Sequence, residues 1–205
     1  MLDTHGRRHI QPVLDAIARA CHAAGIGANT LTVAGMLTGL VAATLVLAGQ
    51  TLSGLLILWL SGLIDAADGT LARLTQPGPL GAILDITFDR VVEVAMIAAL
   101  AWRFPEARFE LLILVGAIAI AMSLFLSIGA AVANYSVKSF HYAPGLGERT
   151  EAFICLSLMG LDSERLVWWT WVFIGVIVFT MAQRFWHVQA MLADAKDESG
   201  TDHRI

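Results

Sequence analysis

Six apolar runs, at roughly 29–48, 52–72, 80–102, 109–134, 149–161 and 166–187, take up most of this 205-residue chain. A helix crosses the hydrocarbon core of a bilayer with about 20 apolar residues and satisfies its own backbone hydrogen bonds there. Runs of this number and length leave only short connections and two tails. The reading is an all-α integral membrane protein with six transmembrane helices and no separate soluble catalytic domain. Any chemistry must sit in or beside the membrane helices. Composition agrees, since only 15% of residues are charged where a soluble domain carries roughly 25%. The fifth run is short for a full span, and is expected to be tilted, extended toward Gly145 or partly re-entrant. Gly49-Gln50, Pro77-Gly78-Pro79, Pro105 and Asp162-Ser163 mark the turns.

Ahead of the first run, Ile10, Val13, Leu14, Ile17, Ala18 and Cys21 recur at helical spacing, with Asp15, Arg19 and His22 elsewhere on the surface. This predicts an amphipathic helix over 9–24 that lies in the membrane interface, with Pro12 in its first turn. Residues 1–8 read as frayed and 193–205 as a polar, disordered tail. The chain thus divides into 1–28 (tail and interfacial helix), 29–190 (six-helix membrane domain) and 191–205 (polar tail). No cleavable signal peptide is visible. With the N-terminus inside, Arg7, Arg8, Arg19, Arg73, Lys138, Arg149, Arg184, Lys196 and Arg204 fall on the cytoplasmic side. Only Arg103, Arg108 and Arg165 fall outside. That asymmetry places both termini in the cytoplasm, and the membrane is expected to be a bacterial-type inner (plasma) membrane. Trp102, Trp168, Trp169 and Trp171 sit where outer span ends would meet an aromatic belt. A net charge of −4 gives no nucleic-acid footprint. Cys21 and Cys155 form neither a disulfide framework nor a metal-finger pattern.

Ionisable groups within apolar runs are costly and ask for a reason. Here they gather in one place. Asp65 and Asp68 are three apart at the end of the second run; Asp85 and Asp89 are four apart near the start of the third. Each pair lies along one helix face. A Pro-Gly-Pro turn between the runs folds them into a hairpin, which brings four carboxylates together near its cytoplasmic end. Such a cluster is relieved by shared protons or by hard divalent cations, and all-oxygen ligands suit Mg²⁺, Ca²⁺ or Mn²⁺ rather than zinc. Two ions would cancel four charges and form a clamp for phosphoryl transfer. Gly69 and Gly81 remove side chains beside the carboxylates, and Arg73 supplies a fixed positive charge for a phosphate. Two other readings stand beside this one: a structural carboxylate cluster paired with Arg73 and Arg90, and an ion path in a small cation or proton transporter.

The stretch Asp65, Asp68, Gly69, Ala72, Arg73, Gly81, Asp85, Asp89 resembles the signature of the CDP-alcohol phosphotransferase (CDP-alcohol phosphatidyltransferase) family, a membrane family with six core helices. Seven residues, 74–80, separate Arg73 from Gly81 where the family usually has eight. The difference falls in the turn. Asn29 and Thr32 resemble the family's opening to its first helix, and Arg149-Thr150-Glu151 its opening to the fifth. The resemblance implies two ions, Mg²⁺ or Mn²⁺, held by Asp65, Asp68, Asp85 and Asp89. A CDP diphosphate would then lie near Gly69, Ala72, Arg73, Gly81, Asn29 and Thr32. It also implies that Asp89 is the general base for an acceptor hydroxyl, with release of CMP.

The resemblance admits two arrangements: CDP-diacylglycerol with a polar alcohol, or a soluble CDP-alcohol with a lipid alcohol. The first is favoured by analogy with small bacterial members. Lys138, Arg149 and Glu151 are the candidate acceptor contacts, with His141 between the two cations. The stretch 127–134 holds no arginine, which argues mildly against a glycerol-phosphate or inositol-phosphate acceptor. Glu93 is expected either to reach the site or to pair with Arg90. Gly35-x-x-x-Gly39 would serve either packing within one chain or a homodimer, the expected assembly. The competing readings are a transporter that uses the same carboxylates and an inactive family member.

Overall fold

The structure is a computed structural model; it describes residues 2–75, 78–134 and 149–201, with side chains over 10–75, 78–131 and 149–189. The described residues form seven α-helices and no strand: α1 (Leu2–Ala23), α2 (Ala28–Leu47), α3 (Thr51–Thr75), α4 (Pro79–Arg103), α5 (Arg108–Asn134), α6 (Arg149–Leu161) and α7 (Leu166–Thr201). Short 3₁₀ turns over Pro105–Ala107 and Ser163–Arg165 lead into α5 and α7.

Local chemistry sets the helix ends. After α2, Gly49 takes φ +89°, and the Gln50 N–H bonds back to the Leu45 carbonyl. This left-handed closure favours glycine. Pro79 starts α4, where its missing N–H has no intrahelical partner to lose. Two expectations need correction. Helix α1 already runs from Leu2, and α7 continues to Thr201 through the expected disordered tail. Ala, Lys and Glu in that tail are good helix formers that carry α7 onward.

Helix α2 lies between α3 and α4 and packs closely on both. Small residues allow this approach. A side chain on Gly54 of α3 would stand 2.6 Å from Val46 Cγ2 and 2.9 Å from the Ala42 carbonyl of α2. One on Gly39 of α2 would stand 2.5 Å from Val92 Cγ2 of α4. Gly35 faces Ser61 and Ile64 of α3. The Gly35-x-x-x-Gly39 pair is therefore used inside one chain. Helices α5 and α7 pack together, and α6 bridges α3 and α4 to α7. Val46, Leu58, Met96, Leu100, Leu114, Leu156, Met159 and Phe173 fill the core. Helix α1 buries Leu14 and Ala18 and packs on α3 and α6, while Ile10 and Val13 stay exposed.

Among the described residues, four helical segments are long and apolar enough to cross a membrane: Ala28–Leu47, Thr51–Thr75, Pro105–Ala131 and Ser163–Gln189. The expected count is six. Helix α4 has the length, with 25 residues, but carries Asp85, Asp89, Arg90, Glu93 and Arg103. The described part of α6 has 13 residues, about 20 Å of rise against a core of about 30 Å, and the expected extension toward Gly145 lies outside the described residues. Leu52, Leu56, Leu112, Ile120, Val178 and Phe179 face outward, as lipid-facing surfaces require.

At the end of the bundle opposite the carboxylates, Arg103 of α4 donates to Thr51 Oγ1 at 2.5 Å and to the Val46 carbonyl at 3.3 Å. It thereby ties α4 to the α2–α3 turn. Arg103→Ala is expected to cost about 1–3 kcal/mol, the range for removing a charged hydrogen-bonding partner. The measurement is the thermal unfolding midpoint in detergent; an unchanged midpoint would show that the tie contributes nothing.

Candidate metal and phosphate site

Helices α3 and α4, which are consecutive but pack on either side of α2 rather than on each other as the expected hairpin would, build the site. Asp65 and Asp68 lie in the last third of α3, and Asp85 and Asp89 lie in the first half of α4. The fold brings one carboxylate oxygen from each of Asp65, Asp68 and Asp85 within 4.8 Å of one another. Opposed oxygens around a hard divalent cation stand about 4–5 Å apart, so this spacing fits such an ion. Asp68 is 5% exposed, and its Oδ2 is buried with no hydrogen-bond partner among the described residues. A buried carboxylate oxygen left unmet is costly, and a cation would meet it.

Asp89 is placed differently. It stands outside that group of three and makes an ion pair at 2.8 Å with Nη1 of Arg149, the first residue of α6. The same nitrogen also pairs with Asp65 Oδ2. All three side chains are less than a fifth exposed. Arg149 is held from its other side as well, for its guanidinium carbon lies 5.4 Å above the Phe153 ring. Phe153 in turn stands edge-on to Trp59 at 5.9 Å and rests against Gly62, where a side chain would come within 2.9 Å of its ring. Sequence reasoning named Arg149 in the opening of the fifth helix and as an acceptor contact, not as a partner of the aspartates. Phe153, Trp59 and Gly62 carry no motif that would have drawn attention to them.

Helix α2 closes a third wall. Thr32 is buried against the Asp68 carboxylate. Asn29 Oδ1 comes so close to Gly81 that a side chain there would stand at 3.1 Å. Both residues therefore join the site. Gly69 leaves open space, since a side chain there would meet only Arg73 Nη1 at 3.7 Å. Ala72 is half-buried, and Arg73 is exposed, with Nη2 donating to Thr70 Oγ1 at 2.9 Å. Glu93 pairs with Arg90 at 2.7 Å and not with the cluster, which decides between its two expected roles. Glu151 is half-buried on α6. Lys138 and His141 lie outside the described residues.

Known proteins resemble this chain in sequence and in fold. A family model described as CDP-alcohol phosphatidyltransferase matches residues 26–182. The inner membrane protein YnjF of Escherichia coli is 30% identical over 198 residues, covering 91% of this chain and 94% of that one. A phosphatidylinositol phosphate synthase of Corynebacterium glutamicum is 31% identical over 164 residues, covering 78% of this chain and 74% of its own. Among solved structures, the phosphatidylinositol phosphate synthase of Mycobacterium tuberculosis with manganese and citrate shares the fold. Its TM-score is 0.72 at 24% identity, covering 86% of this chain and 88% of that one. The same synthase with CDP-DAG bound superposes with a TM-score of 0.64 at 26% identity, over 86% of this chain and 94% of that one.

Proposed function

We propose that this chain, which belongs to the CDP-alcohol phosphatidyltransferase family, moves the phosphatidyl group of CDP-diacylglycerol onto an alcohol hydroxyl and releases CMP. The observation that carries this reading is the convergence of Asp65, Asp68 and Asp85 beside Asp89 and Arg149, at the open face left by Gly69. The four aspartates would hold two ions, Mg²⁺ or Mn²⁺. When bound, such ions neutralise a diphosphate and stabilise the leaving phosphate. Gly69, Ala72 and Arg73 line the diphosphate path, with Gly81, Asn29 and Thr32 on the nucleotide side. Asp89 takes the proton of the acceptor hydroxyl. The hydroxyl oxygen bonds to the β-phosphorus, the bond from that phosphorus to the CMP oxygen breaks, and CMP keeps the electron pair. Arg149, Glu151 and Lys138 form the acceptor side.

The M. tuberculosis synthase with CDP-DAG bound supports the choice of donor, and its manganese-containing form supports the choice of ion. The names of the relatives put a phosphorylated inositol first among acceptors to try. The late part of α5 supplies no arginine for its phosphate, so unphosphorylated alcohols stand beside it in the panel. A transporter is disfavoured because the Arg149 guanidinium sits among the carboxylates that a cation path would use. In this reading α4 and α6 complete six spans, with both termini and the site at the cytoplasmic face of the inner membrane. A homodimer would use a face other than Gly35 and Gly39, which are buried within the chain.

The test is CMP release from CDP-diacylglycerol across glycerol 3-phosphate, inositol, inositol phosphate, serine, choline and phosphatidylglycerol. Activity is expected with at least one alcohol, to be lost with a chelator and restored by Mn²⁺ or Mg²⁺. No CMP release from any pair, together with cation flux in liposomes, would replace this reading with the transporter.

A further inference from the structure

The Arg149 contacts set two cations against each other. One guanidinium nitrogen touches both Asp65 and Asp89, and these are two of the four carboxylates assigned to metal. An oxygen engaged by a guanidinium cannot at the same time give its full charge to a divalent ion. Attraction to Asp65 and Asp89 and the Phe153 ring face hold the guanidinium in place, and a cation that competes for the same carboxylates acts on the first two of these contacts.

We infer that Arg149 is a built-in competitor for the metal ligands Asp65 and Asp89, so that loading an ion there and freeing the Arg149 guanidinium are one exchange. This deepens the two-ion reading and rests on it. Linkage makes the exchange reciprocal: whatever draws Arg149 off the carboxylates favours the metal, and the metal favours the release of Arg149. A freed guanidinium is a bidentate phosphate ligand, and Asp65 and Asp89 have by then changed partners. The site would present its positive charge to a substrate only once its ions are loaded.

The experiment is a Mn²⁺ titration of the purified full-length protein, followed by loss of the free-ion EPR signal, with no substrate present. In Arg149→Gln the weaker ion is expected to bind about tenfold tighter than in the wild type, within the usual range of coupling between sites. Arg149→Lys, which keeps the charge without the guanidinium, should fall between the two and guards against a folding defect in the glutamine variant. Adding Asp65→Asn or Asp89→Asn should erase the gain. Unchanged or weaker Mn²⁺ binding in both Arg149 variants would overturn the exchange while leaving the two-ion reading in place. If the wild type binds no Mn²⁺, or binds it equally after Asp68→Asn and Asp85→Asn, the two-ion reading itself falls and takes the exchange with it.

Discussion

Asp89→Asn is expected to lower CMP release from CDP-diacylglycerol by about 10²–10⁴-fold, the usual contribution of a positioned general base. The amide keeps the shape of the side chain but cannot take a proton from the acceptor. Asp85→Asn should be at least as severe by a different route. It removes one of three oxygens that converge within 4.8 Å, so added Mn²⁺ should partly restore its activity, whereas excess metal should not rescue Asp89→Asn. Both variants should elute from a sizing column as the wild type does and unfold at a similar temperature. Full activity in either would remove the aspartate cluster from the mechanism.

Gly54→Leu should be the most damaging substitution to the fold. A side chain at residue 54 meets the Ala42 carbonyl and the Val46 N–H as well as the Val46 side chain. Backbone atoms of a packed helix cannot step aside as a rotamer can, so α2 and α3 must separate. Overpacking costs about 1–3 kcal/mol where side chains yield, and here the loss should reach the top of that range or exceed it. Gly116→Leu on α5 is the matched comparison, because a side chain there meets nothing within 4 Å. It should change stability by less than about 0.5 kcal/mol. Thermal unfolding of the two variants in the same detergent makes the measurement; equal midpoints would show that the α2–α3 contact is looser than described.

The site was legible in the sequence where its parts are local. Asp65 and Asp68 share a face because a helix repeats every 3.6 residues, and the turn before Pro79 returns the chain so that Asp85 meets them. Asn29 and Thr32 reached the site through a resemblance at one helix start, and the fold gives them contacts at Gly81 and Asp68. Arg149 was named as an acceptor contact, and its pairing with Asp65 and Asp89 was not foreseen. Nothing in its spacing says that α6 begins against α3 and α4, because that contact depends on how Phe153 seats on Gly62 and Trp59. The span count shows another limit. Apolar runs report what faces lipid, but α4 turns a charged face toward its own site and reads as less membrane-like than its 25-residue length. The glycines at 35 and 39 were recognisable as contact points, yet only the packing tells a neighbour within the chain from a second copy.

The order in which the parts of the site are made has a consequence of its own. Asp65, Asp68, Asp85 and Asp89 all belong to two consecutive helices, whereas Arg149 follows Asp89 only after about 60 further residues, which a ribosome adds in roughly 3–12 s. For that interval the only arginines made within the segment 65–90 are Arg73 and Arg90. The arginine that pairs with Asp65 and Asp89 in the finished fold is thus a late arrival, and until then these carboxylates share Arg73 and Arg90 with whatever protons or ions the surroundings offer.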